Sequence, residues 1–241
     1  MVGSTRKKEC RRRGPAAGAG CLCNFQVSLR PRTDLDRDAV DPQSAEYRAW
    51  QNAVRSEVLT FNSGGSGARP SADGMNATAF PSGVMTMPVE ATEHTGPVII
   101  WRKELRPDSG GAGEFRGGLG QYMEVGAVDG HEFDFSAMFD RVNHPAEGRQ
   151  GGQNGAATTI ALDDQTPMKG KGKQFVPHWR RVMLAFPGGA GYGAASRRDP
   201  ERVKRDLASG YISAAAAKRD YGLGDEQIER VLEAVKTGET Q

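Results

Sequence analysis

Three glycine-rich runs limit what this chain can fold into more than any other feature. The densest carries Gly110, Gly111, Gly113, Gly117, Gly118 and Gly120 within residues 105–120. A run of that density is neither a packed helix nor an ordinary strand, because glycine loses more backbone entropy on ordering than any other residue. It persists where the chain turns tightly or lies against something that leaves no room for a Cβ. A second run, with Gly64, Gly65, Gly67 and Gly74, precedes it, and a third, with Gly188, Gly189, Gly191 and Gly193, follows. None ends in the Lys-Ser/Thr pair of a phosphate-binding loop, and none fits the Gly-x-Gly-x-x-Gly dinucleotide pattern, so nucleotide binding by this chain itself is not expected. Two readings of the glycines stay open. They are close-packed loops, or their backbone N–H groups face a ligand or another protein surface.

The rest of the composition agrees with loops closing over a partner surface better than with a large core. Apolar residues make up 37% of the 241, and 32 are glycine; mean hydropathy is −0.59. A net charge of +2 is too small to imply nucleic acid, and the basic excess lies near the N-terminus. No apolar run approaches a membrane span. Cys10, Cys21 and Cys23 are the only cysteines and all lie in the first 40 residues, which excludes a disulfide framework and favours the cytoplasm. Lys7, Lys8 and Arg11–Arg13 hint at targeting, but Glu9 interrupts them and no apolar stretch follows. Residues 1–40 therefore read as a disordered or spurious leader, dispensable and first to be removed by protease.

Beyond the leader the pattern predicts a short helix from Asp41 and Ser44, with Tyr47, Trp50, Val54 and Val58 on one face. Strands are predicted at 98–101, 121–128, 156–162 and 181–186. The clearest is at 133–139, where Phe133, Phe135, Ala137 and Phe139 alternate with Asp134, Ser136 and Met138. Lys169, Lys171 and Lys173, separated by glycines, read as a loop. The last quarter is helical. Asp199 caps and Pro200 opens one helix with Val203 and Leu207 inward; Ser213 caps a second that ends at Gly222; Asp225 begins a third with an Ile228, Val231, Leu232, Val235 stripe. Strands first and helices after argue for an α+β fold, strand-rich over 59–193 and helical over 199–240.

Few side chains stand out chemically. Arg69 and Asp73 flank Pro70 in a turn, where they form a structural pair or a clamp for a carboxylate or phosphate. Glu90 and Glu93 follow Pro88 and are solvated or loop-pinning carboxylates, an acid–base pair, or a place where one carboxylate binds a metal. Arg106, Pro107, Asp108 and Ser109 fit a type I turn. His94, His131, His144 and His178 have no metal spacing, so no metal site is expected in this chain. No Gly-x-Ser-x-Gly nucleophile occurs.

The three runs, with Met87-Pro88-Val89-Glu90, Phe139-Asp140-Arg141, Pro145, Gly151-Gly152, Asp199-Pro200-Glu201 and Tyr221-Gly222, resemble the C-terminal half of the hydantoinase B/oxoprolinase family over about residues 59–223. Ala194 stands where the family usually has Asp. The family is longer, and the half of it that carries His and Asp at a metal site in carboxylase relatives has no counterpart here. The chain is thus expected to be a fragment of a larger domain, with residues 41–240 as the family-like part.

The resemblance implies a component of an ATP-dependent hydrolase that opens cyclic amides such as 5-oxoproline or N-methylhydantoin, inactive alone. ATP would be bound by a hydantoinase A-like partner in a hetero-oligomer. Within this chain, Arg69, Asp73 and Glu90 are the candidate catalytic residues. Arg106, Asp108, Gly111 and Gly113 are the candidate substrate-binding residues, with the 110–120 backbone as an anion-facing wall. A non-catalytic interaction remnant and a fragment of an acetone-carboxylase-type enzyme are the alternatives.

Overall fold

The structure is a computed structural model and describes residues 17–18, 23–31, 41, 43–51, 56–78 and 87–238. Among the described residues eight strands form two antiparallel sheets. The first holds β1 (Cys23–Pro31), β2 (Ser56–Thr60), β5 (His131–Phe139) and β7 (Lys171–Val176) in the order β2-β1-β5-β7. The second holds β3 (Val98–Leu105), β4 (Gln121–Ala127), β6 (Thr159–Leu162) and β8 (Val182–Ala185) in the order β3-β4-β8-β6. Alternation drives the packing. Phe25, Val27 and Leu29 of β1 and Phe133, Phe135 and Phe139 of β5 face Met123, Val125, Val182 and Leu184 of the other sheet in one apolar cluster. Phe25 and Phe135 lie 5.1 Å apart and Phe139 stacks on Phe186 at 5.9 Å.

Among the described residues, helices are few before the C-terminal quarter: α1 (Ala45–Gln51) and α2 (Val89–Glu93). Then α3 (Pro200–Ala208), α4 (Ala214–Tyr221) and α5 (Asp225–Thr237) pack around Val203, Leu207, Ile212, Ala216, Ala217 and Ile228. Their caps are those expected. Asp199 accepts from the Glu201 amide, Ser213 accepts from the Ala216 amide, and Gly222 ends α4 at φ +69°. The fold is α+β, with a β-sandwich body and helices concentrated at the C-terminus.

Several elements differ from expectation. The leader holds β1, a central strand that pairs with β5 along all nine residues and with β2 on its other side. Phe25, Val27 and Leu29 alternate with Gln26 and Ser28, and the nearby basic residues mask that short pattern. Val58 belongs to β2 rather than to the first helix, and residues 52–55 lie outside the described residues. The lysine-rich segment at 171–173 is edge strand β7, where Lys and Gly are tolerated because one side faces solvent. Trp101 is exposed, because it lies on the face of β3 opposite the buried Val98 and Ile100. Cys10 and Cys21 lie outside the described residues.

At one end of the body the glycine runs converge. The 187–193 segment exchanges backbone hydrogen bonds with four others: Gly65 N–H to Pro187, Gly111 N–H to Gly189, Gly191 N–H to Gln153, and Ala190 N–H to Gly18. A flat strand has only two bonding edges. Four neighbours require an extended helix of the polyproline type, whose amides point in successive directions and make no internal bonds. Backbones then lie so close that a Cβ on Gly65 would sit 1.8 Å from the Gly118 carbonyl oxygen. The glycines are therefore the packing surface of a bundle.

Candidate functional site

Asp73 sits where the glycine bundle meets the helices. Its turn is fixed by reciprocal bonds between the Arg69 and Ala72 backbones, and Gly74 donates to the Arg116 carbonyl. Asp73 Oδ1 accepts from the Arg116 amide at 2.7 Å. Both Asp73 oxygens then receive the Arg198 fork, at 2.7 and 3.0 Å. Arg198 Nη2 also reaches Asp206 of α3 at 2.6 Å, and Arg116 Nε reaches the same oxygen at 3.2 Å. Aromatic faces hold the guanidiniums in place: Arg116 over Tyr211 at 5.2 Å, Arg198 over Tyr221 at 5.8 Å and Arg202 over Phe115 at 5.8 Å. Two carboxylates and two arginines thereby join the two glycine runs to α3.

Electrostatics follow from this enclosure. Burial by itself pushes the Asp73 carboxyl up, but the Arg198 hydrogen bonds and charge, with the Arg116 amide, hold it below the ordinary value of 3.8. Burial likewise acts against the Arg198 charge, and Asp73 and Asp206 more than reverse it. Burial pushes the Tyr221 hydroxyl up to about 12. A depressed carboxyl stabilises the fold fully above its unfolded value and loses that contribution as pH falls through the folded one. The contribution of Asp73 to the melting temperature should thus be complete at pH 7 and be lost as pH falls below the ordinary 3.8. In Asp73→Asn the drop specific to this acid window should be smaller; an identical acid profile in the variant would refute the assignment.

Beside this network lies an open pocket of about 380 Å³. Among the described residues, Arg116, Arg198, Arg202 and Arg205 line it against only Asp73 and Asp206, with Ser209 and Tyr211 completing the wall. Sequence reading missed all of these except Asp73. A weak signal was present: Arg202, Arg205, Asp206 and Ser209 recur at helical spacing on α3. Nothing in that spacing says that the face meets residue 116.

The other sequence-assigned residues separate. Arg69 is exposed and does not pair with Asp73, whose oxygens face Arg198 and, at 3.7 Å, Arg202. Glu90 is exposed in the first turn of α2, and its neighbour Glu93 accepts the Ile100 amide. Arg106 is a strut, with Nη1 donating to the Ala157 and Phe186 carbonyls at 2.8 and 3.1 Å. Asp108, at φ +57°, ties the central run to α4 by accepting from the Ser213 amide at 2.8 Å. Gly111 donates to the Gly189 carbonyl, and a Cβ on Gly113 would meet Phe115 and Tyr192 backbone atoms. The amides of Gly111, Gly117, Gly118 and Gly120 all have acceptors within the chain, so these four form no open anion-facing wall. Among the described residues no three His, Cys, Asp or Glu side chains converge as metal ligands, and no helix is long and apolar enough to cross a membrane.

The comparisons agree with this architecture. The Hydantoinase B/oxoprolinase family matches residues 3–195, reaching into the supposed leader. The caprolactamase subunit beta of Pseudomonas jessenii is 30% identical over 182 residues, covering 69% of this chain and 30% of that protein. The crystal structure of ATP-dependent caprolactamase from Pseudomonas jessenii superposes with a TM-score of 0.63 at 23% identity, over 92% of this chain and 38% of that one. Nucleotide-free acetone carboxylase gives 0.66 at 16% identity, over 93% of this chain and 34% of that one. The chain spans between three and four tenths of the length of each. With the family match running through the sandwich and the whole glycine bundle, this chain belongs to the hydantoinase B/oxoprolinase family.

Proposed function

We propose that this chain serves as the hydantoinase B-type component of an ATP-dependent enzyme that opens a cyclic amide, together with a hydantoinase A-like component that binds the ATP. The observation that carries the reading is the family match over residues 3–195. Amide resonance makes direct attack by water slow. Phosphorylating the amide oxygen breaks that resonance and creates a leaving group. The partner would make the phosphorylated species, and this component would help open and hydrolyse it in the cytoplasm. Arg69 and Glu90 contribute as exposed charges, and Asp73 contributes by positioning Arg198 and Arg116. A 5-oxoproline, hydantoin or lactam ring fits this chemistry.

The experiment is reconstitution with the ATP-binding component, scored as ring opening coupled to ADP release. The purified chain alone is expected to show no ATP-dependent turnover of any of these rings, and ADP release by the chain alone would overturn the division of labour. In the active complex, Arg69→Ala should lower turnover far more than it lowers melting temperature; equal loss of both would make Arg69 structural. The acetone carboxylase likeness, over 93% of the chain, supports a carboxylase as the second reading. ATP turnover that requires bicarbonate and a ketone, with no response to cyclic amides, would select it.

A further inference from the structure

The pocket beside Asp73 has a charge imbalance that the ion-pair network does not remove. Among the described residues four guanidiniums face two carboxylates there, an excess of two positive charges. Asp206 is bonded to both Arg116 and Arg198, and Asp73 is bonded to Arg198. Arg202 reaches Asp73 only at 3.7 Å. Arg205, exposed one turn along α3, has no carboxylate partner among the described residues. A third observation points the same way: Arg198 Nε is buried without a hydrogen-bond partner, although its side chain is only 1% exposed. A buried N–H of a charged group left without an acceptor is costly, and it leaves the Arg198 charge less compensated behind the pocket.

The helix end does not oppose an anion at this place. The Arg205 and Asp206 carbonyls at the C-terminus of α3 already accept from the Ser209, Tyr211 and Ile212 amides, with Gly210 at φ +68° closing the turn. Their partial negative charge is thus turned inward. Ser209 and Tyr211 add hydroxyl donors to the wall.

We propose that this pocket binds a doubly charged oxyanion of the phosphate type, held by the Arg202 and Arg205 guanidiniums, with the buried Arg198 behind them. Two excess positive charges match a dianion, and planar guanidinium forks match the edges of a phosphate. The inference concerns binding alone and stands whether or not the enzymatic reading above holds.

The test is titration of inorganic phosphate into the full 241-residue chain at constant ionic strength, followed by calorimetry and by melting temperature. Saturable binding with one site per chain is expected, and the melting temperature should rise with phosphate by mass action. Arg205→Gln and Arg202→Gln should each weaken the affinity by about tenfold or more while leaving the phosphate-free melting temperature nearly level. Lys204→Gln, on the same helix but paired with Glu201, should leave the affinity unchanged. A small phosphate monoester and ADP, titrated separately, identify the source: tighter binding of either places the phosphate on that larger molecule, and equal binding assigns free phosphate. No saturable binding, or the same affinity in Arg205→Gln as in the native chain, or an equal loss in Lys204→Gln, overturns the proposal.

Discussion

Gly188→Ala is expected to abolish the folded state. The added Cβ would lie 1.7 Å from the Ser109 carbonyl oxygen and 2.3 Å from its carbon, and both are backbone. A side chain could rotate away, but these atoms cannot. They belong to a segment whose neighbours bond on several sides, Ala156 donating to Ser109 and Gly188 donating to Ala156. Overpacking a core commonly costs about 1–3 kcal/mol, and more where relaxation is blocked. Against a total stability of about 5–15 kcal/mol, a forced separation of several bonded segments takes a large share. The matched control is Gly130→Ala. That glycine has φ +80° but nothing within 4 Å of a new Cβ, so only the left-handed backbone penalty of about 1–2 kcal/mol applies. Chemical denaturation of both variants gives the comparison. If Gly188→Ala melts within a few degrees of the native chain, the bundle is far looser than its hydrogen bonds imply.

Deleting residues 1–31 is expected to leave an unfolded or aggregating chain, which reverses the reading of this segment as a dispensable leader. The deletion removes β1 from between β2 and β5. Burial of a side chain such as Phe25, Val27 or Leu29 contributes about 1.5–3 kcal/mol each, and all three are fully buried. Their combined loss rivals the whole stability of an ordinary domain. The deletion also exposes the edge of β5 along its full length, a row of unpaired amides and carbonyls that invites association. Phe25→Ala is the milder probe, with an expected loss of about 3–5 kcal/mol, because its ring packs on both Phe135 and Phe139. Soluble, cooperatively melting protein after the deletion would show that β1 is an accessory strand.

Where a local rule decides the structure, the sequence was enough. Asp199-Pro200, Ser213 and Gly222 mark helix ends because capping depends on one or two neighbouring residues. The Phe133 to Phe139 alternation marks β5 because a half-buried strand has period two. The glycine runs announced close approach, since no other residue permits it. Local reading failed where the deciding partner is distant. β1 is short, polar on one face and preceded by basic residues, and only its nine-residue pairing with β5, about a hundred positions away, makes it a core strand. Within β3 the four apolar residues 98–101 carry no alternation to read, and only the packing of the sheet shows that Val98 and Ile100 face the core while Trp101 faces out.

The site followed the same division. Composition identified Asp73 as a polar residue in a constrained turn, but it could not choose the partner. Sequence proximity suggested Arg69; the fold supplied Arg198, 125 positions later, because helix α3 docks where the first two glycine runs meet. Nor could sequence separate the two readings of the glycine amides, as hydrogen bonds between segments far apart in the chain leave no local trace. The sequence by itself determined the family, the α+β order of elements and the places where backbones must touch, all set by short-range chemistry. Tertiary structure alone decided which backbones touch, which carboxylate meets which guanidinium, and that four arginines share one pocket, because pairing across long separations is governed by packing and enclosure.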